Sequence, residues 1–237
     1  MKAVILAGGK GTRLAPYTRI VPKPMLPIGD KAIVEILICQ MRRAGITDVT
    51  LAVGHLAGLM RAFFQDGSQL GVNICYSYEV QPLGTAGPLA TIPDLDSTFM
   101  VSNGDVLTTL DMRDLIAFHK ENRGVATIAT HHRKVKIDLG VIHTNGDHTI
   151  IGYVEKPTID YSVSMGVYLF EPDVLDFIPK GQYLDFPDLV KILIAAGKRV
   201  LAYPFDGYWQ DLGRPDDYEQ ANIDFETMRS EFLPEDD

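Results

Sequence analysis

Two rhythms of apolar residues divide the chain. Unbroken apolar runs, the first being Ala3-Val4-Ile5-Leu6, read as buried strands, with further runs at 48–53, 72–76 and 99–102. Between them, residues 33–44, 56–64 and 112–120 space their apolar positions at helical intervals, and Asp111 stands where an N-cap belongs for the last of these. Strands that alternate with helices predict a mainly parallel sheet covered on both faces. From Val125 onward the pattern tightens into closely spaced strands. Asn145-Gly146 predicts a hairpin turn between strands at 139–143 and 149–154. A strand at 164–170, a helix at 186–196, a strand at 199–203 and a final helix opened by Pro215 complete the order. No internal repeat and no long linker interrupts it. One domain over 1–237 is expected, with one lobe to about residue 125, a smaller β-rich lobe over about 126–222, a C-terminal helix and a frayed acidic tail at 233–237.

Composition narrows the function classes. With 237 residues, 46% hydrophobic and 22% charged, the chain can bury a substantial core and resembles ordinary soluble globular proteins. Its net charge of −9 argues against a general nucleic-acid surface or an anionic-membrane surface. An anionic substrate remains compatible, because a few local cations and a metal reverse the potential inside a cleft. No apolar stretch approaches a membrane span and no signal-peptide pattern precedes the first strand, so a cytoplasmic location is expected. Cys39 and Cys75 each sit in an apolar run and read as buried, reduced thiols rather than as a disulfide or a metal site.

The chemistry concentrates in residues 6–25, LAGGKGTRLAPYTRIVPKPM. Gly8, Gly9 and Gly11 surround Lys10 directly after the first strand, and glycines there let backbone N–H groups turn toward an anion. Arg13 can fork two donors onto phosphate oxygens, and Lys23 is presented from a stiff segment between Pro22 and Pro24. This is a loop for holding a polyphosphate. It is not a P-loop, because Val4 occupies the position where that motif needs its first glycine, and Gly11 rather than Ser or Thr follows the lysine. Nor is it a dinucleotide fingerprint, since Gly9-x-Gly11-x-x reaches Leu14. An ordinary glycine turn would explain the three glycines but not Arg13 together with the Pro-Lys-Pro bracket. Asn103-Gly104-Asp105 follows a strand, where ligands collect in an open α/β sheet, and a carboxylate there can hold Mg²⁺ against phosphate oxygens. Gln81 and Gly84 lie in a second glycine-bearing loop, EVQPLGTAGP, and the Gln81 amide can match donors and acceptors on a base edge.

The run at 6–25 resembles the N-terminal signature of the sugar-1-phosphate nucleotidylyltransferases, and further similar motifs extend the likeness over roughly residues 1–220. Within that family the run at 82–89, PLGTAGPL, resembles that of mannose-1-phosphate guanylyltransferases, and related short enzymes handle heptose 1-phosphate with GTP. The resemblance implies an α/β fold: a Rossmann-like three-layer α/β/α with a mixed, mainly parallel central sheet, nucleotide bound in the first lobe and sugar phosphate in the smaller β-rich lobe. It implies nucleotide contacts from Leu6, Ala7, Gly8, Gly9, Gly11, Thr12, Gln81, Gly84 and Thr85, with Thr85 and Ala86 beginning a helix. It implies catalytic roles for Arg13, Lys23 and Asp105, and a Mg²⁺ held by Asp105 and Asp211, the latter in Trp209-Gln210-Asp211-Leu212-Gly213. Sugar-phosphate contacts are implied for Gly140, Glu155, Lys156 and Gly166, although Ser164-Met165 departs from the small residue often found near that last element.

The reaction so implied is transfer of a nucleoside monophosphate from a triphosphate, with GTP favoured, to a sugar 1-phosphate of the mannose or heptose type. The partners are these two substrates, with no nucleic acid and no membrane, and a second copy of the chain if it dimerises. Thymidylyl or uridylyl transfer to glucose 1-phosphate, a same-fold enzyme for a non-sugar phosphate, and an inactive regulatory subunit that binds nucleotide-sugar are the competing readings. A fused C-terminal β-helix, present in several relatives, is not expected, because few residues follow Gly213. His131-His132 reads as an exposed strand end rather than a zinc site, and His55, His119 and Ser102 stand in no nucleophile motif.

Overall fold

The structure is a computed structural model that describes residues 1–79 and 81–234; the last residues of the expected acidic tail, 235–237, lie outside it. In chain order it contains β1 (Lys2–Ala7), β2 (Pro27–Ile28), β3 (Lys31–Ala32), α1 (Ile33–Arg43), β4 (Asp48–Val53), α2 (Ala57–Phe64), β5 (Asn73–Tyr78), β6 (Phe99–Asn103), β7 (Val106–Thr108) and α3 (Met112–Asn122). There follow β8 (Ala126–Lys136), β9 (Val141–Thr144), β10 (Ile150–Val154), β11 (Thr158–Phe170), α4 (Phe186–Ala195), β12 (Val200–Phe205), β13 (Trp209–Asp211), α5 (Pro215–Thr227) and α6 (Arg229–Phe232).

Seven strands form one sheet in the order β12-β8-β11-β6-β1-β4-β5. β1 runs parallel to β4 and β6, β4 to β5, and β12 to β8, while β11 alone runs against its neighbours. The pleat sends alternate side chains to opposite faces, and the core follows that alternation. Ala3, Ile5 and Ala7 of β1 join Leu51, Met100, Val167 and the inner faces of α1, α2 and α3 in one buried cluster. Val4, Ala52, Val101, Tyr168 and Phe170 point the other way, to Phe186, Leu189 and Leu193 of α4. Three layers result, a sheet between two helical faces, as the pattern of runs predicts. A third cluster packs Phe225 and Phe232, from α5 and α6, onto Leu14, Leu26, Ile28 and Ile36. Among the described residues no helix is long and apolar enough to cross a membrane.

Local chemistry explains several element ends. Asp111 accepts a hydrogen bond from the Arg113 amide at 2.9 Å and caps α3 as the sequence suggests. Gly45 takes φ +79° just past α1, the left-handed position that ends many helices. Where a helix is expected from Thr85, only a short 3-10 turn, Gly87–Thr91, forms around Pro88. The hairpin between β9 and β10 is present, but its left-handed residue is His148, φ +69°, rather than Gly146. Asn145 explains the difference: its side-chain oxygen accepts from the amides of Asp147 and Thr149, which opens the loop beyond two residues. Cys39 is half-buried and Cys75 exposed, because β5 lies at the sheet edge and residue 75 is on its outward-facing alternation.

The β-rich portion is continuous with the central sheet. β8 and β11 pair along their whole lengths, and their outer segments, 132–136 and 158–162, extend past the other strands as a ribbon whose ends are joined through the β9–β10 hairpin. At the root of this arm β11 advances four residues, from Ser164 to Tyr168, while β8 advances two. Gly166 occupies that bulge at φ +76°, and a Cβ there would stand 2.6 Å from the Asn103 amide nitrogen. The Trp209 indole N–H donates to the Met165 carbonyl at 2.9 Å, which satisfies a backbone group the bulge removes from the ladder. Gly166→Ala should therefore lower stability by roughly 1–3 kcal/mol. Gly146→Ala, with nothing near its Cβ position, should stay within about 0.5 kcal/mol of the parent. Urea unfolding of the two variants checks the contrast.

Candidate active site

β1 is where the strand order reverses: the chain moves outward through β4 and β5, then returns to place β6 on the other side of β1. A crevice opens there beyond the carboxyl ends of parallel strands, the usual position for a ligand in such a sheet. An open cleft of about 700 Å³ occupies it. Leu6, Ala7, Gly8, Gly9, Gly11 and Thr12 line it, and so do Arg13, Lys23, Gln81, Gly84, Thr85 and Asp105. Every residue expected from the sequence at the nucleotide and the catalytic positions, apart from Asp211, is thus on one wall or another of a single cleft.

The glycine loop is shaped by close backbone approaches. The Gly8 carbonyl accepts from the His55 amide at 3.3 Å, and a Cβ on Gly54 would lie 2.9 Å from that same carbonyl oxygen. Glu79 stands against Gly8 from the end of β5, where burial pushes its carboxyl up despite a hydrogen bond from the Leu83 amide. Gly11 takes φ +59°, and its carbonyl accepts from the Thr18 hydroxyl at 2.8 Å.

Charge gathers below the loop. Lys23 is buried on a short turn between its two prolines, and its ammonium pairs with the Asp105 carboxylate. Gly104 holds Asp105 in place by donating its amide to the Leu6 carbonyl at 2.9 Å. Asp211 comes up beside it on β13, whose register pairs Asp211 with Val106, while the Leu212 amide donates to the Asp105 carbonyl at 3.1 Å. The surrounding walls desolvate Asp211 and the charge of Asp105 repels it, so its pKa is raised even though Lys23 and Arg13 oppose the shift. The Arg13 guanidinium lies over the next turn, close enough that a Cβ on Gly213 would be 3.2 Å from it.

Two carboxylates, Asp105 and Asp211, thus stand together at the rim beside Lys23 and Arg13. Among the described residues no group of three or more His, Cys, Asp or Glu side chains could enclose a metal by itself. Asp105 and Asp211 instead fit a hard divalent cation that takes its remaining ligands from phosphate oxygens and water.

The loop at 81–86 meets a segment the sequence reading passed over. Gln81 is exposed, and its amide reaches the Gly181 carbonyl at 3.4 Å. Thr85 donates its amide and its hydroxyl to Asp185 at 2.9 and 3.1 Å, and Tyr183 donates its hydroxyl to the same carboxylate at 2.6 Å. Burial pushes Asp185 up, but the Tyr183 and Thr85 donors outweigh it and leave its carboxyl below the usual range. Tyr183, Asp185 and Glu79 line the cleft without a role having been read for them, and so do His55, which was set aside, and Asn103, which was noted only as part of the Asp105 motif. The one available signal for Asp185 was its place as a polar residue directly before the helical run at 186.

The expected sugar-phosphate residues divide into two groups. Gly166 packs against Asn103 and so adjoins the cleft. Gly140, Glu155 and Lys156 sit on the arm and do not line it. Glu155 accepts from the Tyr153 hydroxyl at 3.0 Å, Gly140 packs on that same tyrosine, and Lys156 is exposed with a left-handed backbone, φ +45°. His131 is not a free strand end: its ring packs at a tilt against Trp209 and its Nδ1 lies 2.9 Å from the Phe205 carbonyl oxygen. His119 is buried between Thr127 and Glu171, remote from these residues in its hydrogen bonding.

Known proteins agree with this architecture. A family described as nucleotidyl transferase matches residues 2–228. A UTP–glucose-1-phosphate uridylyltransferase of Synechocystis sp. is 38% identical over 93% of this chain and 62% of its own length. A mannose-1-phosphate guanylyltransferase of Mycobacterium tuberculosis is 35% identical over 94% of this chain and 64% of its own. The chain therefore spans a little under two thirds of each of these relatives. A solved structure described as a putative glucose-1-phosphate thymidylyltransferase from Bacillus anthracis, in complex with a sucrose, shares the fold with a TM-score of 0.77 at 24% identity, covering 94% of both chains.

The raised Asp211 carboxyl carries a stability prediction. Its ionisation is less favourable in the folded chain than in the unfolded one, so the ionised form destabilises the fold at every pH above the unfolded value. Asp211→Asn should accordingly raise the melting temperature in chelator-treated buffer near pH 8. The advantage should shrink as the pH falls through the folded-state pKa and vanish below about pH 4, where both states are protonated. Thermal melts across that range check the sign.

Proposed function

Because this chain belongs to the nucleotidyl transferase family, we propose that it moves a nucleoside monophosphate from a nucleoside triphosphate onto a sugar 1-phosphate, releasing pyrophosphate. GTP is the favoured triphosphate, and a mannose-type or heptose-type sugar 1-phosphate the favoured acceptor. The observation that carries the reading is the convergence of the glycine loop, Arg13, Lys23 and the Asp105–Asp211 pair at one strand-order reversal.

In this mechanism a phosphate oxygen of the sugar 1-phosphate attacks the α-phosphorus, a new P–O bond forms, and the bond to the bridging oxygen breaks as pyrophosphate leaves with the electron pair. The attacking phosphate is already ionised near neutral pH, so no general base is required, and catalysis reduces to alignment and charge neutralisation. Gly8, Gly9 and Gly11 let the backbone approach the triphosphate. Arg13 neutralises charge on the pyrophosphate side, and Lys23 serves phosphate at the reacting centre from its buried position beside Asp105. Asp105 and Asp211 would hold Mg²⁺, which when bound would screen the phosphates from the two carboxylates and supply Lewis-acid charge. Gln81 and its loop read the base. Glu155 and Lys156 meet the sugar phosphate from the arm. An inactive regulatory subunit fits less well, because Arg13, Lys23, Asp105, Lys156 and Asp211 are all retained.

A second reading, uridylyl transfer to glucose 1-phosphate, is favoured by the name of the Synechocystis relative. Phosphate release coupled to pyrophosphatase, run over a grid of triphosphates and sugar 1-phosphates, tests both. GTP with mannose 1-phosphate or a heptose 1-phosphate should give the highest kcat/KM, and excess chelator should abolish the rate. A clear preference for UTP or dTTP with glucose 1-phosphate selects the second reading, and full activity in chelator removes the metal assignment.

The arm offers a sharper test. Lys156→Ala removes a charge-assisted contact of about 2 kcal/mol, so kcat/KM for the sugar 1-phosphate should fall by a factor of about thirty. Titration calorimetry should find triphosphate binding to the free variant unchanged. Loss of triphosphate binding with normal sugar-phosphate affinity would mean that the subsites are exchanged.

A further inference from the structure

Asp185 occupies the residue before α4, where an aspartate ordinarily caps its own helix. Its side chain accepts nothing from that helix. The carboxylate turns instead to the base-edge loop, where Oδ1 accepts from the Thr85 amide and hydroxyl and Oδ2 accepts from Tyr183. The cap is supplied in exchange: the Phe186 amide, first in α4, donates to the Thr85 hydroxyl at 2.8 Å. Each segment therefore satisfies the other's unpaired backbone donor, in the manner of a capping box split between two distant stretches of chain.

The backbones are closed together as tightly. The Leu184 amide donates to the Leu83 carbonyl at 2.9 Å, and the Leu184 carbonyl accepts from both Ala86 and Gly87, at 2.9 and 3.0 Å. Gly84 holds φ +78° in the same turn, and a Cβ on it would lie 2.5 Å from the Leu184 carbonyl oxygen. Both donors of Thr85 are already committed to Asp185, which leaves none to offer an incoming base.

We propose that Asp185 is a positioning residue for base selection, acting through Thr85 to fix the loop that carries Gln81 and Gly84 against the head of α4. Thr85 then contributes to nucleotide binding through the loop and not by touching the base. This rests on the reading of residues 81–86 as the base-facing loop. The physical reason is preorganisation: a loop already held in its binding conformation gives up little entropy when a base enters, and a mismatched base meets donors and acceptors that cannot rearrange to suit it.

The test separates the base from the phosphates. Titration calorimetry with Mg²⁺ would compare GTP, UTP and inorganic tripolyphosphate on the parent, Asp185→Ala, Asp185→Asn, Thr85→Val and Thr85→Ser. Asp185→Ala and Thr85→Val should each weaken the preferred triphosphate about tenfold and bring the GTP-to-UTP ratio toward one, while tripolyphosphate affinity stays within about twofold. Asp185→Asn and Thr85→Ser keep the accepting and bridging oxygens, so both should recover most of the discrimination. An unchanged ratio in Asp185→Ala, or an equal loss for tripolyphosphate, would overturn the proposal. If the parent binds both triphosphates no better than tripolyphosphate, no base pocket exists, and the reading of the loop falls together with its latch.

Discussion

The molecule is organised around an electrostatic problem: two carboxylates and a lysine brought together at the end of a parallel sheet. Lys23 and Asp105 pair in a place where neither is fully solvated, and such a pair persists only if the backbone fixes both partners. The prolines around Lys23 and the Gly104 contact to Leu6 provide that fixing. Asp211 is then left with a neighbour of its own sign, and partial desolvation together with that neighbour's charge raises its pKa. Arg13, on its exposed shelf over Gly213, adds a second positive group beside Lys23. Under the function proposed above, a polyphosphate and its cation would meet both signs of charge at this rim.

Strand direction makes this arrangement possible. β1, β4, β5 and β6 all point their carboxyl ends the same way, so the loops after them share one rim. β11, the one strand that runs in opposition, starts on the arm and then runs inward to close the sheet beside β6. Its bulge is where those two duties meet. Gly166 allows β11 to lie against Asn103 on the cleft side, and Trp209 ties the same bulge to the strand that carries Asp211.

Sequence reading succeeded where the signal was local and periodic. The parallel strands and the helices that cover them were legible because unbroken apolar runs and helical spacing report burial directly, and the ordered motif at 6–25 is long enough to mark one wall of the cleft. It failed where long-range hydrogen bonds override local preference. Gly146 looked like the left-handed residue of a two-residue turn, yet the Asn145 side chain moved that role to His148. Thr85 looked like a helix start, yet its donors go to Asp185, a hundred positions away. Cys75 lay in an apolar run that turned out to face outward from an edge strand, because nothing in the sequence says which strand will be last in a sheet. Glu79, Tyr183 and Asp185 escaped notice for a similar reason: each is unremarkable alone and acquires meaning only from what folds onto it.

The pairing of β13 with β7 closes a loop of about a hundred residues, and loop closure of that length is entropically demanding and kinetically late. Asp211 arrives only with that closure. On a ribosome the first four parallel strands, residues 2–103, emerge well before their partner carboxylate does, so a nascent chain has the glycine loop and Lys23 but lacks the second half of the acidic pair. Completion of the cleft is therefore one of the last events in folding. The zipper between 83–87 and 184–186 obeys the same schedule. A half-made chain presents a cationic glycine loop whose opposite wall, with Tyr183 and Asp185, has not yet arrived.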